Sequence, residues 1–237
     1  MKTSDCFSTS VTEDFLFGSS ESMQRLRGRV EKFAHALVPV LIQGEIGVGK
    51  ELLARFIHRQ SSRRERCFIK VSCTEEKDPS FQRTVLCAAD GSVRGNAPSE
   101  TGTIRFDAVG ELGLGLQAKL VKLLDNQVLQ NVQILCTTRV PLKERVEAGA
   151  LRGDLYHRIN ATTICVPPLR ERRVDIPLLA LHFLKQYADA YECPARPFSA
   201  RLMQLFLVAD WAGNVLELES VYRSGWAGQR VGVIECH

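Results

Sequence analysis

Residues 38 to 60, "VPVLIQGEIGVGKELLARFIHRQ", pass from an apolar stretch through three glycines and a lysine into a helical pattern, which leaves little choice of fold. The first residues read as a strand ending in Gly44, and Leu52, Leu53, Phe56 and Ile57 fall on one face of the helix that follows. Gly44, Gly47 and Gly49 let the backbone turn tightly, so successive N–H groups can face one anion while the helix presents its positive N-terminus. Lys50 adds a point charge for β- and γ-phosphates. The spacing G-x-x-x-x-G-K is met from Gly44 to Lys50, with Glu51 where the general motif has Ser or Thr for magnesium. Gly44, Glu45, Ile46, Gly47, Val48, Gly49, Lys50 and Glu51 are therefore the expected phosphate-binding residues.

The stretch "TIRFDA" supplies the usual partner of such a loop. An aspartate at the end of a buried strand can hold Mg²⁺ through water, and the next residue, typically Glu, polarises the attacking water. Asp107 fits the first role, whereas Ala108 cannot perform the second. Glu111 lies four residues beyond Asp107, either starting the next helix or standing in for the missing carboxylate.

Further β-type runs, "CFIKVSC", "TGTIRFDAV", "VQILCTT" and "TTICVPP", alternate with the helical patterns "LQAKLVKLLDNQ" and "LKERVEAGALRGDLYHRI". This βαβα rhythm predicts an α/β fold with a parallel sheet between helices. After "PPLRERRVDIP" three helical patterns follow without strands. The expected organisation is a tail over 1–14, an α/β core over 15–170 and a small helical lid with a C-terminal tail over 171–237. Segment 74–100 is polar and glycine-dotted, so it reads as loop or weak structure. With 45% hydrophobic residues, 237 residues can bury one sizeable core and a small appendage. A net charge of +4 is too small to argue for nucleic acid. No window approaches the ~18 apolar residues of a membrane span, and "MKTSDCFSTS" lacks a signal peptide's apolar core, so a cytoplasmic protein is expected. The eight cysteines form no C-x-x-C pair, and those in "QILCTT" and "TTICVPP" read as small core residues in a reduced protein without a metal cluster.

Together these features resemble the AAA+ domain of bacterial sigma-54-dependent transcription activators, and the likeness covers nearly the whole chain. "LFGSSESMQRLRGRVEKFA" looks like the domain's entry segment, and "GEIGVGKELLARFIH" like its phosphate loop, in which Glu commonly follows Lys. "GTIRFDAVGELGLGLQAKLVKLL" is similar to its magnesium strand and next helix; "LRGDLYHRIN", "VPPLRERRVDIPLLALHFL" and "WAGNVLELESV" resemble its arginine-finger segment, core-to-lid junction and lid signature. The resemblance implies an ATP or ADP site with Mg²⁺ at the core–lid crevice, Phe17 of the entry segment among its residues, and a ring with sites between subunits. It also implies that Arg152 and Arg158 act in trans on a neighbour's nucleotide; the alternative is that they are ordinary surface arginines.

The chain departs from that pattern at several places. The glycine-aromatic-threonine loop that touches the sigma factor has no counterpart in "FQRTVLCAADGSVRGNAPSET", and "LLDNQVLQNVQILCTT" runs almost directly from helix to strand. The catalytic Glu is Ala108, the sensor Asn aligns with Arg139 and the lid's sensor Arg with Leu216. Each change removes a group that positions water or reads the γ-phosphate. The sequence thus points to a degenerate, nucleotide-binding regulator that self-associates or co-assembles with an intact activator, without direct sigma-54 contact and with no DNA-binding domain in this chain. The competing reading is a slow ATPase that remodels another protein.

Overall fold

In the computed structural model the described residues are 13–74, 101–125, 131–191 and 199–228. The core elements run α1 (Glu13–Phe17), α2 (Glu21–Ala34), β1 (Val40–Gln43), α3 (Lys50–Gln60), β2 (Cys67–Ser72), β3 (Thr101–Asp107), α4 (Leu114–Asp125), β4 (Gln133–Thr138), α5 (Leu142–Glu147), α6 (Gly153–Ile159) and β5 (Thr162–Cys165). The strands form one five-stranded sheet in the order β2-β3-β4-β1-β5, and every pairing is parallel. Parallel neighbours need crossover connections, and the helices supply them on both faces.

Alternation along each strand divides the core in two. Leu41, Ile104, Phe106, Ile134 and Cys136 face α4 and α6, packing with Leu120, Leu123, Leu155 and Ile159. Val40, Ile42, Leu135 and Ile164 face the other side, against Leu26 and Val30 of α2 and Leu53 and Ile57 of α3. α2 reaches this layer because Met23, Leu26, Val30 and Ala34 recur at helical spacing. β4 is buried at all six positions, as the centre of a doubly covered sheet requires.

Three helices follow: α7 (Ile176–Ala190), α8 (Ala200–Val208) and α9 (Asn214–Gly228). Pro177 in the first turn of α7 sits where its missing N–H costs nothing, and the Ser199 hydroxyl caps α8 by accepting from Leu202 N–H at 3.2 Å. These helices enclose a separate cluster around Phe183, Phe206, Trp211, Leu218 and Tyr222. The entry helix spans the boundary: Leu16 and Phe17 belong to the sheet's core, whereas Phe15 belongs to the lid cluster and stacks on His182 with ring centroids 3.8 Å apart. A buried carboxylate makes the same join. Asp175 accepts from the backbone N–H of Ser19 at 2.7 Å and of Ser20 at 2.8 Å, and from the Ser20 hydroxyl at 2.6 Å.

Two details differ from the sequence reading. The stretch 142–159 is two short helices, interrupted at Gly149, which takes a left-handed φ of 70°. Cys136 is buried as expected, but Cys165 is exposed because β5 is an edge strand. Most of segment 74–100, with the expected loss of the sigma-contacting loop, lies outside the described residues, as do residues 126–130 of the second shortened connection.

Candidate functional site

The phosphate loop connects β1 to α3. Gly47 and Gly49 have φ of 77° and 101°, conformations that side chains rarely adopt, and a Cβ on Gly47 would lie 2.0 Å from the Gly213 carbonyl oxygen. Gly44 is tied to the sheet by its N–H, which donates to the Thr138 carbonyl at 3.1 Å. From below, the buried Arg172 donates to the Val48 carbonyl at 3.0 Å. The Lys50 ammonium donates to the carbonyls of Gly44 at 2.8 Å and Glu45 at 2.6 Å. Burial lowers its pKa, while the charge of Asp107 opposes that shift.

The loop opens into a cavity of about 680 Å³ between core and lid. Gly47, Gly49, Lys50 and Glu51 form its floor; Arg105, Asp107, Ala108, Glu111, Thr137 and Arg139 line one wall. Phe15, His182, Phe183, Val215 and Leu216 line the opposite, more apolar end. The lid sits directly on the loop: the N–H groups of Val215 and Leu216 donate to the Gly47 carbonyl at 3.1 and 3.3 Å. Asn214, fully buried, donates to the Ile46 carbonyl at 2.9 Å and accepts from Leu169 N–H at 2.7 Å. Glu45 is gripped by Arg170 through two hydrogen bonds and by Asn214 at 3.1 Å. Those bonds, Arg170's foremost, hold its carboxyl down at about 2.

Asp107 ends β3 with its Oδ1 accepting from the Thr137 hydroxyl at 2.5 Å. Ala108 takes the left-handed conformation, φ 56° and ψ 44°, and carries no carboxylate. The nearby carboxylate, Glu111, does line the cavity, but Arg139 pairs with it at 2.5 Å. Leu216, at the lid position expected to carry the sensor arginine, is half exposed toward the cavity. Arg152 and Arg158 stand apart from this cavity, on the surface, bonded to Asp154 and Asp125 respectively. Phe17 is also elsewhere. Its side chain is wholly buried beneath the loop's helix, edge-on to Phe56, and Phe15, two residues earlier, is the aromatic of the entry segment that reaches the cavity.

Sequence reading missed Arg105, although a charged residue inside the apolar run "TIRFDA" was the available signal. Residues i and i+2 of a strand share a face, so Arg105 projects beside Asp107, toward α3. Its side chain is 1% exposed, and Nη2 lies 3.3 Å from Glu51 Oε2 and 3.4 Å from Asp107 Oδ2. Asn214, Phe15 and His182 were missed too, because only the folded lid brings them to the loop.

The surroundings of Asp107 suit a magnesium ion poorly. The ion favours carboxylates free to ligate it or its waters. Here Asp107 is engaged on both oxygens, and Glu51 shares its charge with Arg55, Lys70 and Arg105, each at 3.3 Å. Burial works to raise the Glu51 pKa, yet the charges of Arg105 and Lys70 hold it below the ordinary value. Among the described residues no three or more His, Cys, Asp or Glu side chains gather into an all-protein metal site.

This loop, strand and lid are matched by known proteins. Residues 16–165 match the model of the sigma-54 interaction domain, and residues 170–237 match that of the AAA+ ATPase lid domain. The chain belongs to the sigma-54 interaction domain family. It is 36% identical over 225 residues to the HTH-type transcriptional regulatory protein TyrR of Haemophilus influenzae, an alignment spanning 86% of this chain and 69% of that relative. It is 36% identical over 224 residues to the response regulator PilR of Pseudomonas aeruginosa, covering 87% of this chain and 50% of PilR. Among solved structures, NtrX from Brucella abortus in complex with ATP superimposes with a TM-score of 0.79 at 29% identity, over 90% of this chain and 52% of NtrX. The same protein in complex with ADP gives 0.78. The chain therefore spans about half the length of several relatives. Among the described residues no helix is long and apolar enough to cross a membrane.

Proposed function

We propose that this sigma-54 interaction domain binds ATP or ADP, hydrolyses it little, and acts by nucleotide-dependent assembly. The observation that carries the reading is the loop Gly44–Lys50, held at the N-terminus of α3 and opening into a cavity that the lid closes from above. Backbone N–H groups and Lys50 take the phosphates. Phe15, His182 and Phe183 offer the ring-sized, largely apolar end that a base requires. NtrX, crystallised with either nucleotide, supports this assignment.

Slow turnover follows from what surrounds Asp107. A positioned general base is worth about 10²- to 10⁴-fold in rate. Ala108 supplies none, and Arg139 occupies the nearby Glu111 carboxylate. Leu216 brings no charge to the γ-phosphate. Arg152 and Arg158 are exposed and remote from this cavity, and on this reading they act on another subunit's nucleotide, in either a second copy of this chain or an intact activator.

Calorimetric titration with ATP and with ADP, beside a phosphate-release assay, tests the proposal. Binding should be measurable, weaken at least tenfold in Lys50→Ala, and be accompanied by turnover near that variant's background; a tenfold loss corresponds to about 1.4 kcal/mol of phosphate contact. Absence of binding at millimolar-range nucleotide, or turnover well above the Lys50→Ala level, overturns it. For the assembly claim, Arg152→Ala with Arg158→Ala should change the ATPase rate of an intact activator mixed with this protein and leave this protein's own nucleotide binding unchanged.

A further inference from the structure

The buried guanidinium of Arg105 occupies the ground between the two carboxylates from which this fold would draw a divalent cation. Its Nη2 faces Glu51 at 3.3 Å and Asp107 at 3.4 Å, while Nε and Nη1 have no hydrogen-bond partner among the described residues. The side chain is 1% exposed, yet it lines the cavity into which the phosphate loop opens. Buried donors without acceptors are uncommon and call for an explanation. A guanidinium with unpartnered donors in the wall of the cavity that the phosphate loop lines is suited to phosphate oxygens, which it can grip with two parallel bonds.

The neighbouring charges point the same way. Each carboxylate at the phosphate end already has a protein cation: Glu51 has Arg55, Lys70 and Arg105, Asp107 has Arg105, and Glu111 has Arg139. A divalent ion would have to displace these cations or sit among them. A bare polyphosphate meets instead two cavity-lining cations of the wall, Arg105 and Arg139, together with Lys50.

We propose that Arg105 takes the place of the metal ion, so that this chain binds nucleoside di- and triphosphates in their magnesium-free form. The inference rests on the nucleotide-binding reading above, and adds which species of nucleotide the site selects. No bond is made or broken; the guanidinium donates to phosphate oxygens and keeps its charge throughout.

Calorimetry of ADP and ATP with the full chain, in excess EDTA and in excess magnesium at matched ionic strength, decides it. The expected affinity in EDTA is equal to or tighter than that in magnesium. Binding that weakens by about threefold or more on metal removal overturns the proposal while leaving nucleotide binding intact. Binding in neither medium refutes nucleotide binding itself. Arg105→Leu, which removes the charge but fills the strand position, should bind more weakly in EDTA and recover with magnesium, because Asp107 Oδ2 is then released from Arg105 and Glu51 is left with Arg55 and Lys70, both partly solvent-exposed. Arg105→Lys, keeping the charge without the planar fork, guards against a folding defect: it should stay insensitive to EDTA, and magnesium dependence in this variant counts against the proposal.

Discussion

Gly47 and Ala108 are both left-handed, but only one of them has the residue such a backbone favours. At Gly47 an alanine would meet both a φ of 77° and the Gly213 carbonyl at 2.0 Å, so Gly47→Ala should lose about 1–3 kcal/mol and shift the lid off the loop, as denaturant unfolding would measure. At Ala108, φ 56° already costs on the order of 1–2 kcal/mol, and glycine's extra freedom in the unfolded chain returns about half of that. Ala108→Gly should therefore stabilise by less than about 1 kcal/mol. Ala108→Glu should restore little turnover, since Arg139 and Leu216 remain; a phosphate-release rate rising a hundredfold would sink that expectation. The phosphate loop was legible because its residues are adjacent and their spacing states the chemistry. Arg105 was not: its meaning depends on Glu51, 54 residues earlier, which only the β3–α3 packing brings to it.

At the scale of elements, the lid is fastened to the phosphate loop by a few polar groups. Asn214 satisfies the Leu169 N–H and the Ile46 carbonyl, so Asn214→Ala strands two buried groups and should cost about 2–4 kcal/mol, with a matching loss of nucleotide affinity as the cavity opens. Asn also tolerates the φ of 56° found there better than alanine does. The Glu45–Arg170 pair is different because it is solvent-exposed, where screening by water and salt leaves an ion pair worth little. Its folded pKa lies below the unfolded one, so the contribution is whole above about 4.5 and fades as pH falls toward about 2. Melting curves taken from pH 6 to pH 3 should show the wild type losing more stability than Glu45→Gln across that window. All five strands and the three lid helices could be read from hydrophobic periodicity, which is a local property. The lid's placement on the loop could not, since it is fixed by Asn214 reaching across 168 residues to Ile46.

Across the whole molecule, burial sorts the thiols. Cys73 and Cys136 lie in the core, where desolvation raises both, Cys136 to about 12, whereas Cys67 and Cys165 are exposed on edge strands. Alkylation of the native protein should modify Cys67 and Cys165 well before Cys73 and Cys136, with peptide mass spectrometry as the measure; equal rates would mean the sheet opens readily. Exposure of Cys165 could not be foreseen, because "TTICVPP" reads as apolar whether its strand lies at the centre or the edge. The Asp175 carboxylate extends this picture from statics to mechanics. From the start of the lid it clasps the backbone of Ser19 and Ser20 in the entry segment, and Gly18, with φ 56°, is pressed so close that a Cβ would lie 2.4 Å from the carboxylate carbon. Lid and entry segment are thus coupled at this point: a rotation of the lid about the core has to carry residues 18–20 with it or break these hydrogen bonds.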